Sequence, residues 1–250
     1  MRPLPFAYSE QVFEAVASRS AEFGLLPVEN SIAGPVAVNA DLFLKNPAFM
    51  VAETYLRIEH CLLGLPGAGL EALKTVYSHP VALAQCRDFL SSRALRAVPE
   101  YDTAGAAELV ASRQRPEEAA IASRRCAEVY GLSVLARDIQ SARDNFTRFA
   151  AFVREDAVPP GLVMQKTSLA FTAKHRPGAL LDCLRRFADN GVNLLRLESR
   201  PIPENLFEYF FLVDLLGGMA DGPVLAALEG LRRDAGVVKV LGSYPLAPRP

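Results

Sequence analysis

The chain has 250 residues, of which 50% are hydrophobic and 22% are charged, and its formal net charge is −1. This length fits one large domain or two smaller ones and is enough to bury a core. The near-neutral charge, without a basic run, argues against a nucleic-acid groove or an anionic membrane surface. The start does not read as a signal peptide, and no apolar run approaches a membrane span. We therefore expect a cytoplasmic protein with neither nucleic-acid nor membrane partners.

Neither the cysteines nor the glycines indicate a bound cofactor. Cys61, Cys86, Cys126 and Cys183 lie far apart without metal-ligand spacing, so we interpret them as reduced thiols. The sequence has no Gly-rich phosphate loop and no Asp/Glu/His metal cluster. We therefore expect no nucleotide, no other cofactor and no metal.

The first predicted strand ends in three polar residues. A helix over 6–17 is followed by a short apolar strand at 25–28, and then by Glu29, Asn30 and Ser31. Another helix begins near residue 34. Ligands of open α/β sheets bind at the carboxyl ends of strands, often against a following helix. The three residues are candidate ligand contacts; the alternative is an ordinary strand-to-helix turn.

A second polar pair flanks the helix that Pro80 opens. Ser78 precedes this helix, and Gln85 follows about two helical turns later, so the two side chains can face the same direction. We interpret them as a candidate carboxylate site, against the alternative of a capped helix with an incidental glutamine. His60 lies in a predicted extended run over 48–63, and we interpret it as a structural histidine.

A third motif places an amide, a hydroxyl and a guanidinium side by side. Asn145, Thr147 and Arg148 stand at the entrance of a predicted strand that continues through Phe149. Arginine offers a planar fork suited to carboxylates, and threonine can exchange hydrogen bonds with a hydroxyl. The alternative is a strand flanked by ordinary polar loop residues.

The order of the predicted elements changes near residue 154. Before it, strands and helices alternate, which predicts a parallel sheet with helical crossovers. A polar, Pro-rich stretch over 154–161 is typical of a linker. The order beyond it is βαββαβ, that of a ferredoxin-like unit, with strands at 167–172, 192–198, 207–215 and 237–241 and helices at 179–188 and 224–234.

Three sequence blocks together resemble prephenate dehydratase: Glu-Asn-Ser at 29–31, Tyr-Ser-His-Pro at 77–80 with Gln85, and Asn-Phe-Thr-Arg-Phe at 145–149. The C-terminal unit resembles the ACT regulatory domain of the same enzyme through Pro-Gly-Ala-Leu at 177–180 and Glu-Ser-Arg-Pro at 198–201. Two features depart from the family pattern. Gly34-Pro35 replaces a usual Gly-Ser, and the family's first strand and Gly-rich loop have no counterpart. Either the stated start is too late, or the catalytic domain lacks them.

The resemblance implies an α/β fold with three parts. A two-lobed, periplasmic-binding-protein-like catalytic domain would cover residues 1–155, a linker 156–166, and a ferredoxin-like βαββαβ ACT domain 167–245. The chain would pass to the second lobe near 56–61 and return near 139–148, with the site in the cleft. A homodimer or homotetramer without a cofactor is implied as well.

The implied activity is that of a carbon–oxygen lyase in phenylalanine biosynthesis. Prephenate would lose carbon dioxide and its ring hydroxyl to give phenylpyruvate. Thr147 would hydrogen-bond the departing hydroxyl, and Glu29 is the alternative acid if burial raises its pKa. The substrate-binding residues would be Asn30, Ser31, Ser78, Gln85, Asn145, Arg148 and Phe149.

The implied effector is L-phenylalanine, which would inhibit by feedback. Gly178 stands at a predicted helix start, where free backbone N–H groups can receive a carboxylate. The effector would bind at Gly178, Ala179 and Leu180 and, across a dimer interface, at Glu198, Ser199, Arg200 and Pro201. Three alternatives remain: an arogenate dehydratase, a two-lobed solute receptor, and a phenylalanine-sensing protein with an impaired catalytic half.

Overall fold

The computed structural model describes residues 2–142, 144–202 and 209–248. The chain forms two compact units, each assembled from separate segments. Unit 1 contains residues 1–30, 35–55 and 148–250, and unit 2 contains residues 31–34 and 56–147. The main crossings between the units thus fall at residues 55/56 and 147/148, close to the predicted positions.

The elements alternate through the first 154 residues, as the hydrophobic pattern predicts. In chain order they are α1 Ser9–Ala17, β1 Gly24–Asn30, β2 Gly34–Pro35, α2 Ala37–Lys45, β3 Ala48–Arg57, β4 Cys61–Gly64, β5 Thr75–Ser78, α3 Pro80–Gln85, α4 Arg87–Ser92, β6 Arg96–Pro99, α5 Thr103–Arg113, β7 Glu118–Ala122, α6 Arg124–Tyr130, β8 Ser133–Ala136 and β9 Phe146–Arg154. Short 3₁₀ helices lie at Leu70–Ala72 and Glu155–Ala157.

The C-terminal residues form the predicted βαββαβ series. Its elements are β10 Lys166–Ala173, α7 Ala179–Asp189, β11 Leu194–Pro201, β12 Tyr209–Leu216, α8 Gly222–Asp234 and β13 Ala235–Tyr244. The four strands lie in the order β11-β12-β10-β13 with antiparallel neighbours, which confirms the ferredoxin-like expectation. Residues 207 and 208, which we predicted to begin the third strand, lie outside the described residues.

The sheet of unit 2 is mixed, so the expectation of a parallel sheet is wrong for this part. Its order is β6-β5-β7-β4-β8. Strand β5 pairs in parallel with β6 and β7, whereas β4 pairs antiparallel with β7 and β8. Helical crossovers impose parallel pairing only on strands that they join directly, and β4 follows neither of its neighbours directly.

The extended run predicted over 48–63 is interrupted between β3 and β4. Ile58 donates its backbone N–H to the carbonyl of Asn145, and the carbonyl of His60 accepts from the N–H of Ile139. The backbone N–H of His60 donates to the side-chain oxygen of Gln140. These bonds to the segment 139–145 replace ladder bonds, so two strands form instead of one.

Unit 1 contains a single eight-stranded sheet in the order β11-β12-β10-β13-β3-β9-β1-β2. The C-terminal strands therefore share a sheet with β3 and β9, joined by a parallel contact between Gly242 of β13 and Met50 of β3. A Cβ atom at Gly242 would stand 2.4 Å from the backbone oxygen of Met50, so this approach requires glycine.

The two faces of the C-terminal sheet carry different side chains. On β12, Phe211, Val213 and Leu215 pack in the cluster that includes Phe187 of α7. Leu212, on the opposite face, packs in the cluster that includes Phe152. Alternation along the strand places Asp214 on this second face, where a charge must find partners to be buried.

No helix within the described ranges is both long enough and apolar enough to cross a membrane.

Candidate active site

In unit 2, three polar side chains form one hydrogen-bonded chain: Asn145 and Gln85, which we predicted to bind substrate, and His60, which we interpreted as structural. Asn145 is fully buried, and its side-chain N–H donates to Oε1 of Gln85 at 3.0 Å. The same oxygen lies 2.7 Å from Nε2 of His60. Because a carboxamide oxygen only accepts, Nε2 of His60 carries the proton in this arrangement. The structure thus brings Gln85 and Asn145 together, with a histidine as the third member.

The environment of His60 favours its neutral form. Burial lowers the pKa of His60, and the hydrogen bond to Gln85 offsets only part of this effect. A neutral imidazole with Nε2–H is the tautomer that the bond to Gln85 requires.

The two serines of the predicted site bind backbone groups. Ser31 Oγ donates to the carbonyl of Asp144 and accepts the N–H of Phe146, both at 2.9 Å. Ser78 is fully buried and its hydroxyl donates to the carbonyl of Ile121 at 2.6 Å. Both side chains thus fix neighbouring chain segments, and their contact with a substrate stays a prediction.

One donor of the helix mouth that we expected to receive a carboxylate is used within the protein. Helix α3 has six residues, and Nδ1 of His79 accepts the N–H of Val81 at its start. An N–H group bonded in this way is not available to a ligand. Carboxylate binding at this helix start stays a prediction.

Thr147 and Arg148 are consecutive residues of β9, and both are buried. Alternation directs their side chains to opposite sides of the strand. Asn30 ends β1, and Phe149 follows Arg148 in β9; both are half-buried. Glu29 and Asn30, which we placed just beyond the first strand, are its last two residues.

The Arg148 side chain enters a buried cluster of charges in unit 1. Its side chain is 6% exposed, and Nη1 donates to Oδ2 of Asp214 at 2.5 Å. Lys166 Nζ donates to Oε2 of Glu53 at 2.7 Å, and this carboxylate oxygen also lies 3.6 Å from Nη1 of Arg148. We call Arg148, Lys166, Glu53 and Asp214 the charged cluster; it contains two positive and two negative groups.

Asp214 is held from its other side by the hydroxyl of Ser168, which Tyr244 holds in turn. Ser168 Oγ donates to Oδ1 of Asp214 at 2.5 Å and lies 2.6 Å from the hydroxyl oxygen of Tyr244. The serine proton is used on the carboxylate, so Tyr244 is the donor of the second bond. Burial and the charge of Asp214 raise the pKa of Tyr244, which keeps this donor protonated.

Within the charged cluster, burial and the neighbouring charges shift the pKa values of Asp214 and Arg148 in opposite directions. Burial alone would raise the pKa of Asp214, but the charges of Arg148 and Lys166 lower it below its ordinary value. Burial would lower the pKa of Arg148, and Asp214 instead raises it. Burial and the positive charge of Arg148 lower the pKa of Lys166. The ionised Arg148–Asp214 pair is therefore the stable form at neutral pH.

A cavity of about 360 Å³ adjoins the charged cluster; Glu29, Arg148, Lys166, Arg196 and Asp214 line it. Glu29 Oε2 lies 3.7 Å from Nε of Arg148 and 3.8 Å from Nε of Arg196. Its side chain is 38% exposed, so the burial that would make Glu29 an acid is not observed. The Nε atom of Arg148 is buried and has no hydrogen-bond acceptor within the described chain.

The predicted effector residues divide between two places. A second cavity, of about 520 Å³, lies beside the start of α7, and its lining includes Ala179, Leu180, Tyr209 and Phe211. Gly178 precedes α7 with a φ of +79°, a left-handed backbone conformation that favours glycine. A Cβ atom there would meet no protein atom within 4 Å, so a larger residue would not clash with the chain itself. Backbone strain is the effect that remains.

The Glu-Ser-Arg-Pro block belongs to β11 and does not line this second cavity. Arg200 donates to both carboxylate oxygens of Asp41 on α2 at 3.0 Å. Glu198 forms an ion pair with Arg196, while Ser199 and Pro201 pair with Phe211 and Tyr209 in the β11–β12 ladder. A role for this block across a dimer interface stays a prediction.

Sequence reasoning missed three members of the charged cluster. Glu53, Lys166 and Asp214 are buried charged residues of β3, β10 and β12. Asp214 did leave a signal, because it interrupts the otherwise apolar run from Tyr209 to Leu216. A charge in such a run is buried only with a partner of opposite sign. Among the described residues, no group of three or more His, Cys, Asp or Glu could hold a metal ion.

We predict that His60 makes folding stability sensitive to mild acid. The pKa of His60 lies below its ordinary 6.5 in the folded chain, so the unfolded chain takes up the proton first as the pH falls. Stability should therefore be lost as the pH falls below about 6.5. Thermal unfolding between pH 7 and 5 should show a shallower loss for His60→Gln than for the parent. His175→Gln, at an exposed position, is the control and should lose stability with pH as the parent does. Equal pH dependence of the melting temperature for His60→Gln and the parent would contradict the prediction.

The sequence was compared with known families and proteins. Residues 1–157 match the family Prephenate dehydratase, and residues 167–233 match the family ACT domain. Arogenate dehydratase/prephenate dehydratase 2 of Arabidopsis thaliana is 38% identical over 97% of this chain and 66% of its own length. A protein of Komagataeibacter europaeus named bifunctional N-acyl-homoserine lactone acylase/prephenate dehydratase is 39% identical over 98% of this chain and 88% of its length. The chain spans slightly less than two thirds of the plant relatives, 61–66% of their lengths.

Two solved structures resemble the fold over nearly the whole chain. Prephenate dehydratase from Arthrobacter aurescens, in complex with L-Phe, has a TM-score of 0.88 and 34% identity, covering 96% of this chain and 80% of its own. A protein described as a novel type of quorum-quenching acylase has a TM-score of 0.88 and 38% identity, covering 98% and 89%. With motifs, fold and similarity in agreement, this chain belongs to the prephenate dehydratase family and carries an ACT domain.

Proposed function

We propose that the chain converts prephenate to phenylpyruvate by decarboxylative dehydration. The observation that carries this proposal is the match of residues 1–157 to the family, which includes all nine predicted catalytic and substrate-binding residues. The chain spans about two thirds of its plant relatives, so activity, substrate and partners are all part of the proposal. A lyase reaction of this kind requires neither a redox cofactor nor a covalent intermediate.

The chemistry places two demands on the protein. The ring carboxylate leaves as carbon dioxide, its bonding electrons enter the ring, and the ring C–O bond breaks. The oxygen departs as hydroxide, which becomes water when it takes up a proton. Because the ring becomes aromatic, the protein need only orient the substrate carboxylates and stabilise the departing oxygen.

We assign these tasks to the consecutive residues Thr147 and Arg148. Because alternation directs the two side chains to opposite sides of β9, the substrate would have to span the start of this strand. The Thr147 hydroxyl would hydrogen-bond the departing oxygen, since a threonine is too weak an acid for full proton transfer. The Arg148 guanidinium would bind a substrate carboxylate through its Nε edge, because Nη1 already donates to Asp214. Glu29 lies within 3.7 Å of this edge and would have to yield to the substrate.

Two related substrates remain for the activity assay. Prephenate and arogenate differ by a keto against an amino group, and the names of the relatives include both dehydratases. The assay compares the formation of phenylpyruvate from prephenate with the formation of phenylalanine from arogenate. An acyl-homoserine lactone belongs in the same assay, because a relative's name pairs that acylase activity with prephenate dehydratase. Turnover of neither prephenate nor arogenate by the purified chain would refute the proposed function.

We predict that Thr147→Ala removes about 2–4 kcal/mol of transition-state stabilisation, mainly as a loss of kcat. The alanine cannot donate to the departing oxygen, whereas Thr147→Ser keeps the hydroxyl and should keep much more activity. Initial rates at several prephenate concentrations separate kcat from KM. A kcat for Thr147→Ala within a few fold of the parent would exclude Thr147 from this role.

We propose that the chain works as a homodimer or homotetramer. We also propose that L-phenylalanine binds at the start of α7 and inhibits by feedback. The cavity there combines apolar Leu180 and Phe211 with the basic residues Lys174 and Arg176. Such a lining suits an aromatic ring and a carboxylate. The related structure from Arthrobacter aurescens was determined in complex with L-Phe, which supports the same choice of ligand.

We predict that Gly178→Val abolishes inhibition by phenylalanine while turnover is kept. Valine disfavours the φ of +79°, so the backbone N–H groups at the helix start would turn away from the ligand. Gly191→Val is the matched control, because Gly191 has a φ of +67° and open space beyond the other end of the same helix. Calorimetry and inhibition assays check both variants. Equal loss in both, or no binding to the parent at millimolar phenylalanine, would contradict the assignment.

A further inference from the structure

The C-terminal unit supplies the group that fixes the guanidinium of Arg148. Asp214 belongs to β12, and its Oδ2 accepts from Nη1 at 2.5 Å. The carboxylate cannot turn freely, because Ser168 of β10 donates to its other oxygen and Tyr244 of β13 in turn holds Ser168. Three adjacent strands of the C-terminal sheet therefore define where Arg148 points.

This arrangement leaves one edge of the guanidinium for a ligand. Nη1 is used by Asp214, whereas the buried Nε has no hydrogen-bond acceptor within the described chain. The side chain lines the cavity of about 360 Å³ together with Arg196. Because an unsatisfied buried donor is costly and the Arg148 side chain lines a cavity, an acceptor atom of a ligand that reached Nε from this cavity would remove the cost.

The carboxylate of Glu29 is the protein's own anion near Nε of Arg148, and it does not form a hydrogen bond there. Glu29 stands 3.7 Å from Nε of Arg148, beyond hydrogen-bond distance, and its side chain is 38% exposed. A substrate carboxylate that approached to hydrogen-bond distance would make the stronger contact with Nε. The direction of that contact depends on how Asp214 sets the plane of the guanidinium.

We propose that Asp214 is a positioning residue for the dehydration reaction: it holds Arg148 so that the Nε edge of the guanidinium receives a substrate carboxylate. This inference rests on the proposed function. It gives the C-terminal unit a part in substrate capture even without an effector. Ser168 and Tyr244 contribute by fixing the carboxylate of Asp214.

The test compares Asp214→Asn with the parent in steady-state kinetics on prephenate. The asparagine keeps the shape but removes the charge, so the guanidinium loses its fixed orientation. We expect KM to rise by about tenfold or more while kcat changes by less than threefold. In an Arg148→Lys background the same substitution should have little further effect on KM, because lysine has no guanidinium edge to orient.

Two further variants keep the test decisive. Asp189→Asn makes the same chemical change at an exposed position and should leave KM unchanged. Ser168→Ala removes the bond to Oδ1 of Asp214 together with the bond from Tyr244, and it should raise KM by about threefold. This variant carries the test if Asp214→Asn does not fold. Circular dichroism and thermal melting establish that each variant is folded.

The possible outcomes separate the two proposals. An active parent, together with a folded Asp214→Asn variant whose KM stays within twofold, would overturn the positioning role but not the proposed function. Effects of Asp214→Asn and Arg148→Lys that simply add would also overturn it, because residues acting through one contact do not add. A parent inactive on prephenate and arogenate would overturn the proposed function and this inference with it.

Discussion

The buried ion pair between Arg148 and Asp214 is the interaction on which the arrangement of unit 1 depends. Removing two charges from water costs several kcal/mol per ion, and only close geometry with further hydrogen bonds offsets that cost. Here the offset comes from five adjacent strands of one sheet, which contribute Asp214, Lys166 with Ser168, Tyr244, Glu53 and Arg148 in sheet order. A displacement of any of these strands would leave a buried charge without its partner, so the charged cluster holds the C-terminal strands in register with β3 and β9.

Local sequence was sufficient to predict the elements and the polar motifs. The βαββαβ order and the presence of a strand before Asn30 follow from alternation and from Gly and Pro positions, although this strand extends two residues beyond its predicted end. The same reasoning failed between residues 48 and 63. The break there is made by hydrogen bonds to residues 139–145, some eighty positions away, and no local pattern encodes such partners.

Local sequence patterns also did not predict the hydrogen-bond partners of the polar residues. Ser31 and Ser78 have the residue types of a binding site, yet the structure uses both hydroxyls on backbone groups. Arg148 was predicted as a carboxylate binder from its planar fork, and its nearest carboxylate is that of Asp214, sixty-six positions later. A side chain's chemistry can be inferred from its type, but its partner depends on which strands the whole sheet places together.

Strands β10, β12 and β13 each carry residues of both the charged cluster's surroundings and the cavity of about 520 Å³ beside α7. Strand β12 carries Phe211 at the cavity beside α7 and Asp214 three residues further on; β10 likewise carries Thr172 and Ser168, and β13 carries Gly236 and Tyr244. A ligand in the cavity beside α7 alters Arg148 only if it binds more tightly to one placement of these strands than to another. Since Asp214 belongs to β12, a displacement of this strand would move the carboxylate that orients the guanidinium. Inhibition by such a ligand would then appear as weaker substrate capture, and the substrate would weaken binding of the ligand by the same factor.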